Sequence, residues 1–435
     1  MKRNSEESGF RFFLPSIYMN ICIFEDIRYK NFLPLVHFRP VYNLHCGAFS
    51  LQEKIINALP KVKTILHMRS ELVENFRENF PNHIINKLPP DDIWFINGRV
   101  LGDESLAKLI KSNRGEQKVY LKDGNIAAAF IKRETLPSIP NIIDSQTLND
   151  LSFKNIPVDN FEGILFNYPW ELIHHCAEEI EKDFRVFKLK KKMLGKIYNG
   201  VHIVNKKNII IGKGTKIKPG AVLDAEKGPI IIGKNVTIMP NAVLEGPVFI
   251  GDNSIIKVGA KIYHGTSIGK WCKVGGEVES SIIQSFSNKQ HDGFLGHSYL
   301  GSWINIGADT NTSDLKNNYA NVRVYVNGKM IDSGQQFVGL TMGDHSKCGI
   351  NTMFNTGTVV GISCSIYGSG FPPKFIPSFT WGGDNKFTIY DLDKSIETMK
   401  TVMKRRGVNM TQSYEKLVRK IFEDTKDERK NAGVI

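Results

Sequence analysis

Four histidines that could do chemistry lie in or beside the repetitive C-terminal half of the chain: His264, His291, His297 and His345. Histidine titrates near neutral pH, so each ring can accept a proton during catalysis or bind zinc through a neutral nitrogen. A lone histidine is more often structural than catalytic. The segment that holds these residues therefore has to be understood before a role is given to any of them.

That segment repeats every six residues. Apolar residues recur at Ile211, Ile217, Ile232, Ile238, Leu244, Ile250, Ile256, Ile262, Ile268 and Val274, and again at Leu300, Ile306, Met342, Cys348, Phe354, Val360 and Ile366. Glycine or asparagine, which tolerate positive φ, stands three residues later at positions 214, 220, 235, 241, 253, 259, 265, 351 and 357. A β-sandwich would space its turns by roughly 8–12 residues. We therefore predict a left-handed parallel β-helix of the hexapeptide-repeat kind over residues 209–383.

Residues 20–187 follow a different pattern, typical of a mixed α/β, Rossmann-like domain. Short apolar strands are predicted at Ile21–Phe24 and Ile93–Ile96. Helices are predicted at Leu51–Ala58, Glu104–Lys111 and Pro169–Phe184, the last with a clear apolar stripe. Residues 1–19 are expected to be a tail. Residues 188–208, which begin with a basic run, are expected to be a linker.

Two further segments depart from the six-residue period. Lys316–Phe337 interrupts it and contains Asn327-Gly328, a strong hairpin signal, so we predict a projecting loop there. Residues 384–435 are polar and charged, with apolar residues at helical spacing near Ile389–Met403 and Leu417–Ile421. These predict a helical tail that packs on the β-helix or on a neighbouring subunit.

The composition narrows the class of protein. The 435 residues carry a net charge of +13, which reflects either a lineage bias toward lysine or an attraction for phosphate-bearing substrates. The basic residues are not interleaved with aromatics in the manner of a nucleic-acid-binding motif. The six cysteines are far apart, which favours free buried thiols in a reducing compartment. Neither a signal peptide nor a membrane span is predicted, so we expect a cytoplasmic protein.

The segment Gly296-His297-Ser298-Tyr299-Leu300-Gly301, followed by Asn305-Ile306-Gly307-Ala308, resembles part of a known family: the bifunctional enzymes that make UDP-N-acetylglucosamine. The resemblance covers roughly residues 20–383 and is nearest to a divergent Bacteroidetes-type branch. It implies that His297 is the general base that takes a proton from a sugar amine as the amine attacks acetyl-CoA. It also implies that Tyr299 contacts the sugar phosphate and that Asn305 contacts the sugar. Lys257 stands where the family has an arginine that holds the phosphate.

Four features of this half differ from the family's pattern, and one of them is that about one hexapeptide is missing between Leu300 and Asn305. The spacing from His297 to Tyr299 is one residue shorter. Gly275 stands where a second phosphate-binding lysine is expected, and Asp314-Leu315 stands where the family has Asn-Tyr. These differences concern the identity of the sugar more than acyl transfer itself.

In the N-terminal half, Leu33-Pro34-Leu35, Phe38-Arg39-Pro40-Val41 and Tyr168-Pro169-Trp170-Glu171-Leu172 resemble segments of the family's nucleotidyltransferase domain. Its glycine-rich phosphate loop is absent, because the first strand continues into Phe24–Arg28. Val41 replaces a lysine that neutralises the sugar phosphate.

The residues left to bind a nucleotide in this half are few. Arg28 and Arg39 are the cations expected to hold the triphosphate. Asn97 and Arg99 fall where a metal-binding aspartate is usual, so we expect them near the nucleotide. Asp103 is then the nearest carboxylate for Mg²⁺.

The resemblance implies a homotrimeric transferase with two activities. The C-terminal domain would acetylate a sugar-1-phosphate from acetyl-CoA, and the N-terminal domain would transfer a uridylyl or thymidylyl group from a nucleoside triphosphate. One alternative is an acyltransferase whose N-terminal domain is degenerate and only binds a nucleotide sugar or mediates assembly. Another is a zinc hydratase resembling the gamma class of carbonic anhydrases, with histidines shared between subunits.

Overall fold

The computed structural model describes residues 18–59, 61–136, 156–188, 193–383 and 386–434. Residues 1–17 of the predicted tail and most of the basic run Lys188–Lys192 lie outside these ranges. Within them, no helix is both long enough and apolar enough to cross a bilayer.

The N-terminal domain is built on one mixed sheet. Its strands, with a small hairpin formed by the second and third, are β1 (Met19–Phe24), β2 (His45–Cys46), β3 (Phe49–Ser50), β4 (Val62–His67), β5 (Ile84–Ile85), β6 (Ile93–Asn97), β7 (Lys118–Lys122), β8 (Asn125–Ile131) and β9 (Val158–Asn160). The order in the main sheet is β5-β4-β1-β6-β8-β7-β9, and β8 runs antiparallel to both of its neighbours. Strands β1 and β6 are parallel neighbours, so their carboxyl ends meet at Phe24 and Asn97.

The predicted helices of this domain are confirmed. The helices are α1 (Leu51–Ala58), α2 (Ser70–Asn79), α3 (Glu104–Ser112) and α4 (Pro169–Lys188). Helix α1 begins at Ser50, whose side chain and that of Glu53 form a reciprocal capping box. Helix α4 buries Leu172, Ile173 and Cys176. This long helix closes the domain, as its apolar stripe predicts.

The C-terminal half is a left-handed parallel β-helix, as predicted, with three flat faces of short stacked strands. Face A contains Ile209–Ile211, Ile230–Ile232, Val248–Ile250, Thr266–Ile268, Ile282–Ile283, Tyr299–Leu300, Thr341–Met342, Val359–Val360 and Phe375–Ile376. Face B contains Lys196–Ile197, Lys216–Ile217, Thr237–Ile238, Ile255–Ile256, Lys273–Val274, Asn288–Lys289, Lys347–Cys348, Ser365–Ile366, Thr380–Gly383 and, antiparallel at its end, Lys386–Ile389. Face C contains His202–Val204, Val222–Asp224, Val243–Glu245, Lys261–Ile262, Glu277–Glu279 and Phe294–Gly296, continued by Asn311–Thr312 and Met353–Phe354.

The six-residue period places one column of apolar side chains inside each face. Ile232, Ile250 and Ile268 pair in register on face A, and all three are buried. The predicted turn residues have positive φ, for example 80° at Gly214, 54° at Asn235 and 62° at Asn253 in the corner between faces A and B. A side chain with a bulky Cβ would be strained there, which explains why glycine and asparagine recur.

The β-helix begins earlier than its apolar period suggests. Lys196–Ile197 and His202–Val204 already pair with the next rung, at Lys216–Ile217 and Val222–Asp224. Both strands fall in residues 188–208, which the sequence suggested to be a linker. The six-residue apolar period is hard to see in these two strands, because each is short, has one inward-facing apolar residue and is otherwise largely exposed.

One inward position is occupied by a lysine. Lys289 pairs in register with Val274 on face B and is 2% exposed. Its ammonium group donates to the carbonyl oxygens of His291 at 2.8 Å and Gly275 at 3.2 Å. Burial lowers the pKa of Lys289 to about 8. Lys289 thus donates hydrogen bonds to backbone carbonyl groups in the segment between Val274 and Leu300, where the six-residue period is interrupted.

The insertion and the tail have the predicted structures. Arg323–Val326 and Lys329–Asp332 form an antiparallel hairpin around Asn327-Gly328. The tail forms helices α5 (Leu392–Lys404), α6 (Gln412–Asp424) and α7 (Lys426–Asn431). Ser395 of α5 hydrogen-bonds Ser363 of the β-helix at 2.6 Å.

The N-terminal domain packs on face A of the β-helix through buried polar contacts. Ser267 donates to the carbonyl of Gly47 at 2.6 Å. Arg39 forms a two-pronged ion pair with Asp344, whose side chain is only 2% exposed, and one nitrogen–oxygen distance is 2.9 Å. Since an arginine fork matches a carboxylate in two places, this pair fixes the orientation of the two domains.

Replacing Arg39 by alanine should lower the free energy of unfolding by about 2–4 kcal/mol, because the Asp344 carboxylate would remain buried without its cation. Denaturant unfolding of the full chain measures this change. Arg28→Ala, which removes an exposed arginine side chain of the same domain, is the matched control and should change stability by less than about 0.5 kcal/mol. Equal effects of the two substitutions would show that the ion pair does not hold the domains together.

Candidate functional site

His297 occupies the corner between faces C and A and is paired with a carboxylate. Its Nδ1 lies 2.8 Å from Oδ2 of Asp314, and the two side chains are 17% and 13% exposed. The backbone at His297 has φ 40°. Gly296 is required beside this pair, because a Cβ there would lie 2.2 Å from the same Asp314 oxygen. Corner geometry and pairing together hold the imidazole in one orientation.

The pairing also sets the tautomer of His297. An Nδ1–H that donates to Asp314 leaves the lone pair on Nε2 free to accept a proton. The carboxylate then stabilises the imidazolium that results. His297 and Asp314 are therefore arranged as a general base and the residue that orients it.

The surroundings of His297 come from three parts of the chain. The ring of Phe337, in the insertion, has its centroid 4.9 Å away, and the ring of His174, in α4, lies at 5.9 Å. Nε2 of His174 is 3.1 Å from the carbonyl oxygen of Phe337. Burial, followed by the charge of His297, lowers the pKa of His174. The N-terminal domain thus places a neutral histidine beside the candidate base.

Sequence reasoning proposed His297 as a base but did not predict that Asp314 lies beside it. Asp314 follows His297 by 17 residues, close to the 18-residue spacing that separates Ile232 from Ile250 on consecutive rungs. Residues one rung apart lie side by side in a β-helix. That spacing, together with the departure from Asn-Tyr at this point, is the signal that could have identified the pair.

The structure corrects the expectation for Tyr299. This side chain is fully buried between face A and the N-terminal domain. Its hydroxyl accepts from the backbone N–H of His45 at 2.8 Å and from the Gln284 amide at 3.1 Å, and donates to the carbonyl of His45 at 3.1 Å. With every hydrogen-bonding position used, Tyr299 joins the domains and has no free surface for a sugar phosphate.

Lys257 and Asn305, the other predicted substrate contacts, lie on face B. Asn305 is exposed and bridges the strands at Asn288 and Lys347. It lines a cavity of about 380 Å³, and the charge of Lys257 is felt by Lys273 in that cavity. No contact joins either residue to His297 within the described ranges. The cavity and the histidine pair are separate places on one chain.

In the N-terminal domain, the predicted nucleotide contacts are buried together at the carboxyl ends of β1 and β6. Arg99 is 0% exposed and forms an ion pair with Asp26, at 2.6 Å from Nη2 and 3.0 Å from Nε. Asn97 donates to the same carboxylate at 2.8 Å. Arg99 also donates to the carbonyl of Phe166 at 2.6 Å. The guanidinium group of Arg99 thus lies at the carboxyl ends of β1 and β6 and pairs with Asp26, the carboxylate that follows β1.

The two arginines expected to hold a triphosphate differ in what they contact. Arg39 is committed to Asp344 and also donates to the carbonyl of Leu35 at 2.7 Å. This corrects the expectation that it faces a nucleotide. Arg28 is exposed just after β1, and among the described residues its guanidinium group has no partner, whereas its backbone N–H donates to Asp26. Arg28 is therefore the predicted phosphate contact that stays accessible.

The remaining histidines have separate partners. His345 is 1% exposed and lies 2.7 Å from the hydroxyl of Tyr414. His264 lies 3.8 Å from Glu279. Within the described ranges, no three potential protein ligands are grouped closely enough to hold a metal ion.

Comparison with known proteins gives one family match and several relatives. Residues 21–192 match the family of sugar nucleotidyl transferases. The chain is 34% identical over 91 residues to the bifunctional sugar-1-phosphate nucleotidylyltransferase/acetyltransferase of Sulfurisphaera tokodaii, and 28% identical over 387 residues to the bifunctional protein GlmU of Methanococcus aeolicus. The second alignment covers 76% of this chain and 88% of that one. These matches make the chain similar to bifunctional enzymes of this kind over much of its length.

Coverage varies among these relatives. The alignment with the Sulfurisphaera tokodaii protein covers 21% of this chain and 23% of that one. The chain thus spans about a quarter of the length of the first relatives that it matches. Among solved structures, the UDP-N-acetylglucosamine acyltransferase of Francisella novicida is 19% identical over 53% of this chain and 78% of that one, with a TM-score of 0.28. A TM-score this low describes a loose likeness only.

Nucleotidyl transfer in this family implies Mg²⁺, and the residues found here do not fit it. Asp103, the nearest predicted ligand, caps α3: its Oδ1 accepts from the backbone N–H of Ser105 at 2.9 Å and of Leu106 at 3.2 Å. Asp26 is held by Arg99. Asp26 is therefore not free to bind a hard cation, and Asp103 has only its second oxygen left for one, which falls short of the several oxygen ligands that Mg²⁺ needs.

Proposed function

We propose that this protein belongs to the bifunctional family and transfers an acetyl group from acetyl-CoA to a sugar-1-phosphate, with His297 as the general base. The product would serve the synthesis of a nucleotide sugar similar to UDP-N-acetylglucosamine, for a cell wall or a surface polysaccharide. The observation that carries the proposal is the 2.8 Å contact between His297 and Asp314, which leaves Nε2 as the proton acceptor.

The chemistry at this histidine is acyl transfer to an amine. The amine nitrogen of the sugar attacks the thioester carbonyl, and Nε2 of His297 accepts the proton that the nitrogen loses. A carbon–nitrogen bond forms and the carbon–sulfur bond breaks, so CoA leaves as a thiol after taking a proton. Asp314 offsets the positive charge on the imidazole while it carries the proton.

We infer for the N-terminal domain the second activity of the family, transfer of a uridylyl or thymidylyl group to the sugar-1-phosphate with release of pyrophosphate. The match of residues 21–192 to sugar nucleotidyl transferases supports it. Arg28 is the accessible cation at the carboxyl end of β1, where a triphosphate would meet the domain.

A second candidate is an acetyltransferase whose N-terminal domain does not catalyse nucleotidyl transfer. It is favoured by one specific observation, the buried pair of Arg99 and Asp26 at the end of β1 and β6. A metal ion that accompanies a triphosphate could bind this carboxylate only by displacing Arg99, and depriving one member of a buried pair of its partner costs about 3–5 kcal/mol. In this case the domain would bind a nucleotide sugar or serve the assembly.

We propose a cytoplasmic homotrimer. The six cysteines are free and buried, which suits a reducing compartment. Lys257 and Asn305 lie on a different face from His297, so a site that uses all three would need two chains. For the homotrimer that the resemblance implies, light scattering should report three times 49.1 kDa for the purified protein. A monomer that transfers acetyl groups at full rate would contradict this assembly.

The test of the base is His297→Asn, because asparagine tolerates the positive φ at this corner. Acetyl transfer should fall by roughly 10²–10⁴-fold, the usual contribution of a positioned base. Asp314→Asn, which removes the orienting charge, should lower it by about tenfold or more. The affinity for acetyl-CoA should change little in both variants. Transfer rates are measured as release of free CoA thiol.

His264→Asn is the matched control, since this histidine lies on the same β-helix with its side chain 51% exposed. It should keep the wild-type rate. Thermal unfolding of all three variants shows whether the β-helix is intact. A His297→Asn variant that is folded and retains near-normal transfer would mean that the base lies elsewhere.

Pyrophosphate release tests the N-terminal domain. The full chain with UTP or dTTP and a sugar-1-phosphate should release pyrophosphate, and Arg28→Ala should weaken triphosphate binding by about tenfold, because a charge-assisted contact is lost. Lys30→Ala, an exposed cation two residues away, is the control. Acetyl transfer without pyrophosphate release would favour the second candidate.

A further inference from the structure

The insertion begins and ends beside the histidine pair. Leu315, which directly precedes it, forms a β-bridge with Phe337, its last residue. The backbone N–H of Val338 then donates to the carbonyl oxygen of Asp314 at 2.9 Å. The ring of Phe337 has its centroid 4.9 Å from that of His297. A movement of the insertion would therefore change the surroundings of the proposed base.

The N-terminal domain holds the insertion at its tip and at its end. At the tip, the side-chain amide of Asn327 donates to the side-chain oxygen of Asn31 at 2.8 Å. At the end, Nε2 of His174 lies 3.1 Å from the carbonyl oxygen of Phe337. Because a carbonyl group can only accept, Nε2 of His174 carries the hydrogen of this bond. The second contact is thus made to the residue whose ring packs on His297.

Docking of the insertion on helix α4 does not depend on His174. Trp170 of α4 lies in one buried apolar cluster with Val322, Val324 and Val338. Apolar contacts of this kind are not directional, so they hold two surfaces together without fixing the place of each atom. A hydrogen bond has a preferred length and angle. The bond from His174 therefore adds direction at Phe337, the residue beside the base.

An uncharged histidine suits a place beside a base that gains a proton. Burial, and then the positive charge of His297, lower the pKa of His174. His174 is therefore uncharged at neutral pH and does not oppose the imidazolium that forms on His297 during transfer. A lysine or an arginine at position 174 could also donate to the carbonyl of Phe337, but its charge would oppose that imidazolium.

We propose that His174 is a positioning residue for acetyl transfer, which acts on His297 through Phe337. The bond from His174 holds the backbone of Phe337, and the ring of Phe337 confines the imidazole of His297 to the orientation in which Nε2 meets the amine. This inference rests on the proposed acetyl transfer at His297. Helix α4, which lies in the part of the chain that matches sugar nucleotidyl transferases, thus also serves the reaction on the β-helix.

Steady-state kinetics of the full chain test the proposal. His174→Leu removes the hydrogen bond and should lower kcat for acetyl transfer by about tenfold or more, since a misplacement of about 1 Å can cost about 10²-fold. The KM for acetyl-CoA should not change. His174→Gln, whose amide can donate to the same carbonyl, should keep at least about a third of the wild-type kcat. Equal losses in the two variants would overturn the proposal, because the bond to Phe337 would then have no part in the effect.

Asn31→Ala is the matched control. It removes the other hydrogen bond between the insertion and the N-terminal domain, at the tip of the hairpin and away from His297. The kcat of this variant should equal that of the wild type, and thermal unfolding should show that both variants are folded. If Asn31→Ala lowers kcat as much as His174→Leu does, general docking of the insertion controls the reaction and His174 has no special role.

A double variant tests whether His174 acts through Phe337. Phe337→Ala removes the ring that packs on His297 and should itself lower kcat by about tenfold, because the base loses the same constraint. Adding His174→Leu to Phe337→Ala should cause no further loss, since two residues that act through one contact are not additive. Losses that multiply would show that His174 acts by another route, contrary to the proposal.

The same measurements separate this inference from the proposed function. A wild-type protein that transfers no acetyl group would overturn both. A wild-type protein whose acetyl transfer is lost in His297→Asn but kept in His174→Leu would leave the proposed function intact and overturn this inference alone. Loss of kcat in both variants, with rescue in His174→Gln, is the result that we expect.

Discussion

The stacking of each rung on the next constrains everything else in this protein. Parallel strands in register place residues one rung apart side by side, so positions distant in sequence form columns of fixed neighbours. Columns of isoleucine fill the interior and columns of positive φ form the corners. The His297–Asp314 pair depends on the same alignment, because a shift of one residue would turn either side chain to the other surface.

Packing of the N-terminal domain on face A decides what the rest of the surface can do. Arg39 and Tyr299, which resemble substrate contacts of the family, are used instead to join the domains. Helix α4 then reaches the edge of face A and places His174 beside His297. Much of face A is therefore covered by the chain itself, which leaves His297 at the corner with face C and Asn305 on face B for ligands.

Local patterns allowed much of the fold to be predicted. The six-residue period, the Asn-Gly hairpin and the apolar stripe of α4 each depend on neighbours in sequence, and all three are confirmed. The prediction failed where distant segments meet. Lys289 points inward because the rungs near it are shorter, and the partners of Tyr299 and Arg39 are set by how the domains dock. Predicting that Asp314 lies beside His297 required comparing positions one rung apart in the β-helix, and not neighbours in the sequence.

The tail makes the beginning and the end of the chain depend on each other. Tyr414 of α6 stacks on Phe38 of the N-terminal domain, with centroids 4.9 Å apart, and Lys416 pairs with Glu74 of α2. During synthesis the N-terminal domain leaves the ribosome before the β-helix, and α6 follows only after it. Phe38 therefore stays uncovered by Tyr414 until the β-helix has been made. The contacts that complete the first domain form late, so the domain gains its final stability only after α6 has been synthesised.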